Sequence, residues 1–136
     1  MVCGLIMVGN SETNAGLRIV LIEDNPFDTE LMQESLKANL DCHVVVVMTR
    51  QTFLAELERA LPNVIIADSN VPRFDSMSAL DLVREKYPQV PFIFCSGNES
   101  QALRALAIIR GAKAWVSKND LPALVAEVKR VCGVPE

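Results

Sequence analysis

Short apolar runs and amphipathic stretches alternate from Leu17 almost to the end of the chain. The runs are LRIVLI (17–22), HVVVVM (43–48), NVIIA (63–67), PFIFC (91–95) and AKAWVS (112–117). Together they are rich in Val, Ile and Phe, and each is shorter than an ordinary helix, so each predicts a strand. Their apolar character is continuous rather than alternating, which fits strands covered on both faces.

The intervening segments keep helical spacing. Phe27, Leu31 and Leu36 follow Asn25-Pro26, where Asn suits a helix cap and Pro the first helical position. Phe53, Leu54 and Leu57 mark a second helix, and Leu80, Val83 and Tyr87 a third that ends at Pro88. Leu103, Leu106 and Ile109 mark a fourth, stopped by Gly111. Leu121, Leu124, Val125, Val128 and Val131 mark the last. Strands alternating with helices imply parallel strands joined by right-handed crossovers. The expected architecture is a single doubly wound, five-stranded parallel sheet with five helices on its two faces.

Length and composition narrow the class. A chain of 136 residues is most simply one domain, expected over 17–132 between tails at 1–16 and 133–136. It is 50% hydrophobic, yet no apolar run approaches the ~20 residues that span a bilayer. The opening MVCGLIMVGN lacks the basic start of a signal peptide, so the expected location is cytoplasmic. Cys3, Cys42, Cys95 and Cys132 are then expected as reduced thiols, with no Cys-x-x-Cys spacing for zinc or redox work. A net charge of −4 without a basic tract argues against nucleic acid and membrane surfaces.

Candidate chemistry lies at the strand ends, because doubly wound sheets bind ligands beyond the carboxyl ends of their strands. Glu23 and Asp24 follow the first run, Asp68 the third, Ser96 the fourth and Lys118 the fifth. The second run ends in Thr49-Arg50 and belongs at the sheet edge. Taken singly, each of these residues also suits a turn, a cap or an ordinary solvated position. Brought together, carboxylates repel by ~4 kcal/mol per pair at an effective dielectric near 20, so their convergence calls for a cation. Oxygen ligands suit Mg²⁺, with Mn²⁺ as the alternative ion. A metal and Lys118 would hold phosphoryl oxygens, Ser96 would donate a hydrogen bond, and Asp68 on the central strand would be the nucleophile.

With LIEDN, D-x-x-x-P-x-x-D from Asp68 through Pro72 to Asp75, CSG at Ser96 and GAKAWVSK ending at Lys118, residues 17–132 resemble the receiver domain of bacterial two-component signalling. The resemblance implies a flavodoxin-like strand order 2-1-3-4-5. It implies Asp68 as phosphoacceptor, and a metal site made by Asp24, Asp68, the Asn70 backbone carbonyl and, through water, Glu23. It also implies Ser96 as a switch hydroxyl, Trp115 as the aromatic that follows it, and Lys118 as the partner of the acceptor and its phosphate. The expected function is a phosphorylation-dependent switch in a phosphorelay. The domain is not otherwise an enzyme: its chemistry is limited to self-catalysed phosphoryl acceptance and autodephosphorylation.

The implied partners are a histidine kinase or histidine phosphotransfer protein acting in trans, and an output domain or protein on the face of helix four, strand five and helix five. A homodimer is compatible with that face. The lone His43 opens an apolar run and reads as a strand residue rather than a phosphodonor.

Three positions depart from the family pattern. Ser76 replaces a usual glycine and is expected to alter the entry to the third helix without touching the site. Asn119 replaces the proline after the lysine, where the family often has a cis peptide; a non-proline cis bond costs ~3 kcal/mol. Trp115 is bulkier than the usual Tyr or Phe and is expected to turn inward less freely. The wording VPRFDS, CSGN and SKNDL is also similar to receivers fused ahead of sensor or kinase modules.

Other classes predict different features. A flavin or nucleotide module needs a phosphate-cradling loop after the first strand, where this chain has Glu23-Asp24. A degenerate receiver used only for protein interaction would lack members of the set Asp24, Asp68, Ser96 and Lys118. A small-molecule hydrolase would need a cap or substrate loop.

Overall fold

The computed structural model describes residues 16–98 and 100–135; residues 1–15 of the tail expected at 1–16, and residues Glu99 and Glu136, lie outside the described part. Five strands are present: β1 (Leu17–Ile22), β2 (Cys42–Val47), β3 (Val64–Ala67), β4 (Phe92–Ser96) and β5 (Ala114–Ser117). Five helices alternate with them: α1 (Pro26–Asn39), α2 (Arg50–Arg59), α3 (Ser76–Lys86), α4 (Gln101–Ile109) and α5 (Leu121–Cys132). All strand pairs are parallel, in the order β2-β1-β3-β4-β5. This is the expected sheet, and His43 sits on its exposed edge strand.

Successive strand side chains point to opposite faces, so the sheet divides the core in two. Val20, Ile22, Ile65, Ala67, Phe92 and Phe94 pack with Phe53, Leu80, Val83 and Ala107, on the side of α2, α3 and α4. Ile19, Leu21, Val64, Ile66, Ile93 and Val116 pack with Met32, Leu36, Leu124 and Val128, on the side of α1 and α5. β3 and β4 are buried along their whole length, which explains their unbroken apolar sequences.

Each helix starts on a side-chain cap: Asn25, Thr49, Asp75, Ser100 and Asp120 accept hydrogen bonds from first-turn amides. Asn25 and Pro26 start α1 as the sequence implies. Asp75, the last residue of the D-x-x-x-P-x-x-D motif, is the cap of α3. Gly111 follows the end of α4 at φ 111°, a backbone conformation that a side chain disfavours.

The helical faces differ from expectation in two places. In α1 the buried residues are Met32 and Leu36, while Phe27 and Leu31 are exposed. In α4 only Ala107 is buried, and the expected core residues Leu106 and Ile109 face solvent, Ile109 at 80% exposure. Apolar spacing defines a stripe on a helix, but it does not say which side of the helix meets the sheet. Among the described residues no peptide bond is cis, so Lys118-Asn119 is trans. Cys42, Cys95 and Cys132 are free thiols, and burial pushes the Cys95 thiol up to about 12. No helix among the described residues is long and apolar enough to cross a membrane.

Candidate functional site

Strand register brings the strand-end residues together. Ile22 of β1 pairs with Ala67 of β3, so Glu23 and Asp68 emerge side by side, and the Asp68 amide donates to the Ile22 carbonyl at 2.9 Å. Ser96 of β4 pairs with Ser117 of β5, and the Lys118 amide donates to the Ser96 carbonyl at 3.1 Å. Alternation then sorts the side chains by face. Asp68 and Lys118 continue the parity of Ile66 and Val116, toward α1 and α5; Ser96 shares the parity of Phe94, toward the other face.

On the first face a cage of charge forms. The Lys118 ammonium lies 2.8 Å from Asp28 Oδ2, 2.9 Å from Glu23 Oε1 and 3.0 Å from Asp68 Oδ2. Burial by itself would depress this lysine, but the contacts with Asp28, Glu23 and Asp68 outweigh it and hold the ammonium above its ordinary value. Glu23 is completely buried, and desolvation raises its carboxyl despite Lys118 and the Asn25 amide, which donates to Oε2 at 3.1 Å. The Lys118 contact to Oε1 is a close ion pair outside hydrogen-bond geometry, so this buried oxygen has no hydrogen-bond donor.

The donor set fits a hard divalent cation. Carboxylate oxygens of Glu23, Asp24 and Asp68 lie within 4.8 Å of one another, and Asp24 is the most open of the three. A buried carboxylate is costly unless a cation meets it; Lys118 meets Glu23 Oε1 at 2.9 Å, and a divalent ion would add further neutralising charge to the three carboxylates. Asn70 lines a cavity of about 340 Å³ together with Asp68, Ser96, Gly97, Asn98 and Lys118. The Asn70 amide donates to Asp68 Oδ1 at 3.3 Å.

On the second face lie hydroxyls. Ser96 Oγ is buried, shares a 2.6 Å hydrogen bond with Ser69 Oγ, and accepts the Asn98 amide at 3.0 Å. Trp115 is half-buried and stacks at 5.1 Å on Phe94, and its neighbours Ser96 and Arg104 line a second cavity of about 260 Å³.

Three site residues escaped the reading of the sequence. Asp28 makes the shortest contact to Lys118; its position in the first turn of a helix entered directly from Glu23-Asp24 is the signal that points it at the rim. Ser69, next to Asp68 in the chain, had no pattern to mark it. The third is a correction: Ser76 does touch the site. It is buried, and its hydroxyl donates to the Asp68 backbone carbonyl at 2.7 Å, because the loop 69–75 folds the start of α3 back under the end of β3.

Comparison with known proteins agrees with this geometry. The family model for the response regulator receiver domain matches residues 19–129. The transcriptional regulatory protein MctR of Rhizobium johnstonii is 28% identical over 123 residues, covering 86% of this chain and 56% of MctR. The chain therefore spans about half the length of that relative. Among solved structures, the receiver domain of a sensor histidine kinase from Pseudomonas aeruginosa has a TM-score of 0.76 at 25% identity, covering 87% of this chain and 98% of that one; it carries a magnesium ion coordinated in its active-site cleft. The phosphorylated cyanobacterial phytochrome response regulator RcpA shares the fold, with a TM-score of 0.72 at 23% identity over 85% of this chain and 91% of its own. The match to the family model over most of the chain, on a sheet of the same topology, places this protein in the response regulator receiver domain family, whose members are phosphorylation-dependent signalling switches.

Proposed function

We propose that this chain accepts a phosphoryl group on Asp68, in a cation-dependent reaction with a phosphohistidine donor supplied in trans. The observation that carries the reading is the Lys118 ammonium shared between Asp68 and the buried Glu23, at the edge of a cavity that Asp68 itself lines. An Asp68 oxygen forms the new O–P bond as the P–N bond of the donor breaks. Lys118 is already placed to follow the charge from the acceptor carboxylate to the phosphoryl oxygens. Glu23, Asp24, Asp68 and the Asn70 backbone carbonyl would hold Mg²⁺ or Mn²⁺; the bound ion supplies neutralising charge for the oxygens of the group in transfer. The Ser96 hydroxyl, the only one among the described residues that line the acceptor's cavity, engages the phosphoryl group, and Trp115 responds to its displacement.

The donor is a histidine kinase or a histidine phosphotransfer protein, and the output partner binds the face of α4, β5 and α5. α4 itself carries the exposed Leu106. No feature of the site requires an enclosed substrate, so the reaction is acceptance and later hydrolysis of one phosphoryl group rather than turnover of a metabolite.

Incubation with acetyl phosphate and Mg²⁺, followed by intact-mass measurement, tests the reading. One phosphoryl increment is expected on the wild type, and none on Asp68→Asn or after chelation of the metal. An unmodified wild type, or equal modification of Asp68→Asn, would refute it.

A further inference from the structure

Ser69 and Ser96 stand at the ends of neighbouring strands, on the face away from the charged cage. Their hydroxyls are 2.6 Å apart, and this contact begins a chain of hydrogen bonds. Ser96 Oγ accepts the Asn98 amide at 3.0 Å, Asn98 Oδ1 accepts the Ser100 amide at 2.8 Å, and Ser100 Oγ accepts the Leu103 amide at 3.2 Å. Ser100 is the cap of α4, so the chain runs from the residue beside the phosphoacceptor to the first turn of that helix. α4 completely buries one side chain, Ala107, and its position depends correspondingly on its ends.

We propose that Ser69 is a positioning residue that holds Ser96, and through it the start of α4, in the unphosphorylated arrangement. This rests on the reading of Asp68 as phosphoacceptor. Two hydrogen bonds fix the Ser96 oxygen, one from the loop that follows it and one with Ser69. For that oxygen to move toward a phosphoryl group on Asp68, on the opposite parity, the bond to Ser69 must lengthen or break. Ser69 therefore stabilises the resting state selectively, and a contact present in only one of two states sets their populations. Asn98, which donates to Ser96, can travel with it; Ser69 cannot, because its backbone is fixed to that of Asp68.

Calorimetric titration with beryllofluoride, which mimics the phosphoryl group, tests this at fixed Mg²⁺ on wild type, Ser69→Ala and Ser69→Thr. A net hydroxyl–hydroxyl bond of ordinary strength corresponds to about a five-fold change in equilibrium. Ser69→Ala is expected to bind with a half-saturating concentration about five-fold lower. Ser69→Thr, which keeps the hydroxyl, is expected to return close to wild type. An Ala variant with an unchanged or higher midpoint overturns the proposal, as does a Thr variant that behaves like Ala. A wild type that gives no Mg²⁺-dependent binding at all refutes the phosphoacceptor reading itself, and this is visible before either variant is compared.

Discussion

Glu23 has no exposed surface, and its carboxyl is raised chiefly by desolvation. A raised folded value means that the protonated form suits the fold better. Its contribution is therefore full below the unfolded value of ~4.3 and is lost as pH rises through the folded value. Once the group ionises without a divalent ion, the cost of burying its charge weakens the fold. Glu23→Gln is expected to raise the urea midpoint in chelator wherever wild-type Glu23 is ionised, to remove the decline that follows that ionisation as pH rises, and to lose the stabilisation by Mg²⁺. A midpoint below wild type in chelator would contradict this. Lys118 follows the same sign at the other end of the scale, since its folded value is also raised. Its contribution is intact below ~10.4 and disappears as pH rises through the folded value. Lys118→Met leaves Glu23, Asp28 and Asp68 without their shared cation. Urea denaturation at pH 7 in chelator is expected to show a loss of about 3 kcal/mol, partly restored by Mg²⁺.

At the scale of elements, the turn after α4 is tightly specified. A Cβ on Gly111 would lie 2.6 Å from Arg84 Nε, in a backbone conformation at φ 111° that side chains disfavour. Gly111→Ala is expected to cost about 1–2 kcal/mol in chemical denaturation. Asp75→Ala removes the cap of α3, and about 1 kcal/mol is expected to go with it. The elements themselves were legible in the sequence because every strand is an apolar run and every helix follows a capping residue. Strand ends moved by one or two residues: the run 43–48 became Cys42–Val47, and 112–117 shortened to Ala114–Ser117. Helix orientation was less legible, since Phe27, Leu31, Leu106 and Ile109 are apolar but turned outward. The charged strand-end residues could be read because they occupy successive strand ends. Asp28, Ser69 and Ser76 could not, since their roles depend on how α1 and the loop before α3 fold back onto the rim.

For the whole molecule, one linkage joins site and stability. A cation that binds only the folded cage stabilises the protein by about 2.7 kcal/mol at one hundred times its dissociation constant. Thermal unfolding is thus expected to shift upward with Mg²⁺ in wild type and to stay flat in Asp24→Asn. The apolar surface of α4 is separate from this. Ile109 is 80% exposed, so Ile109→Lys is expected to change stability by less than about 0.5 kcal/mol and to leave phosphoryl acceptance intact. Loss of acceptance in that variant would show that the helix face and the acidic rim are not independent. The unbroken burial of β3 has a different consequence, for how this chain tolerates change. Val64 to Ala67 are apolar toward both faces, so hydrophobicity alone does not penalise a slip of one residue. Such a slip toward the loop would move Asp68 into the place of Ser69, beside Ser96, and leave the Ala67 methyl beside Lys118. An insertion or deletion within this strand would then leave a foldable sheet with mute chemistry, and for sequence drift or protein engineering the reading frame of β3 is guarded by its polar end rather than by its core.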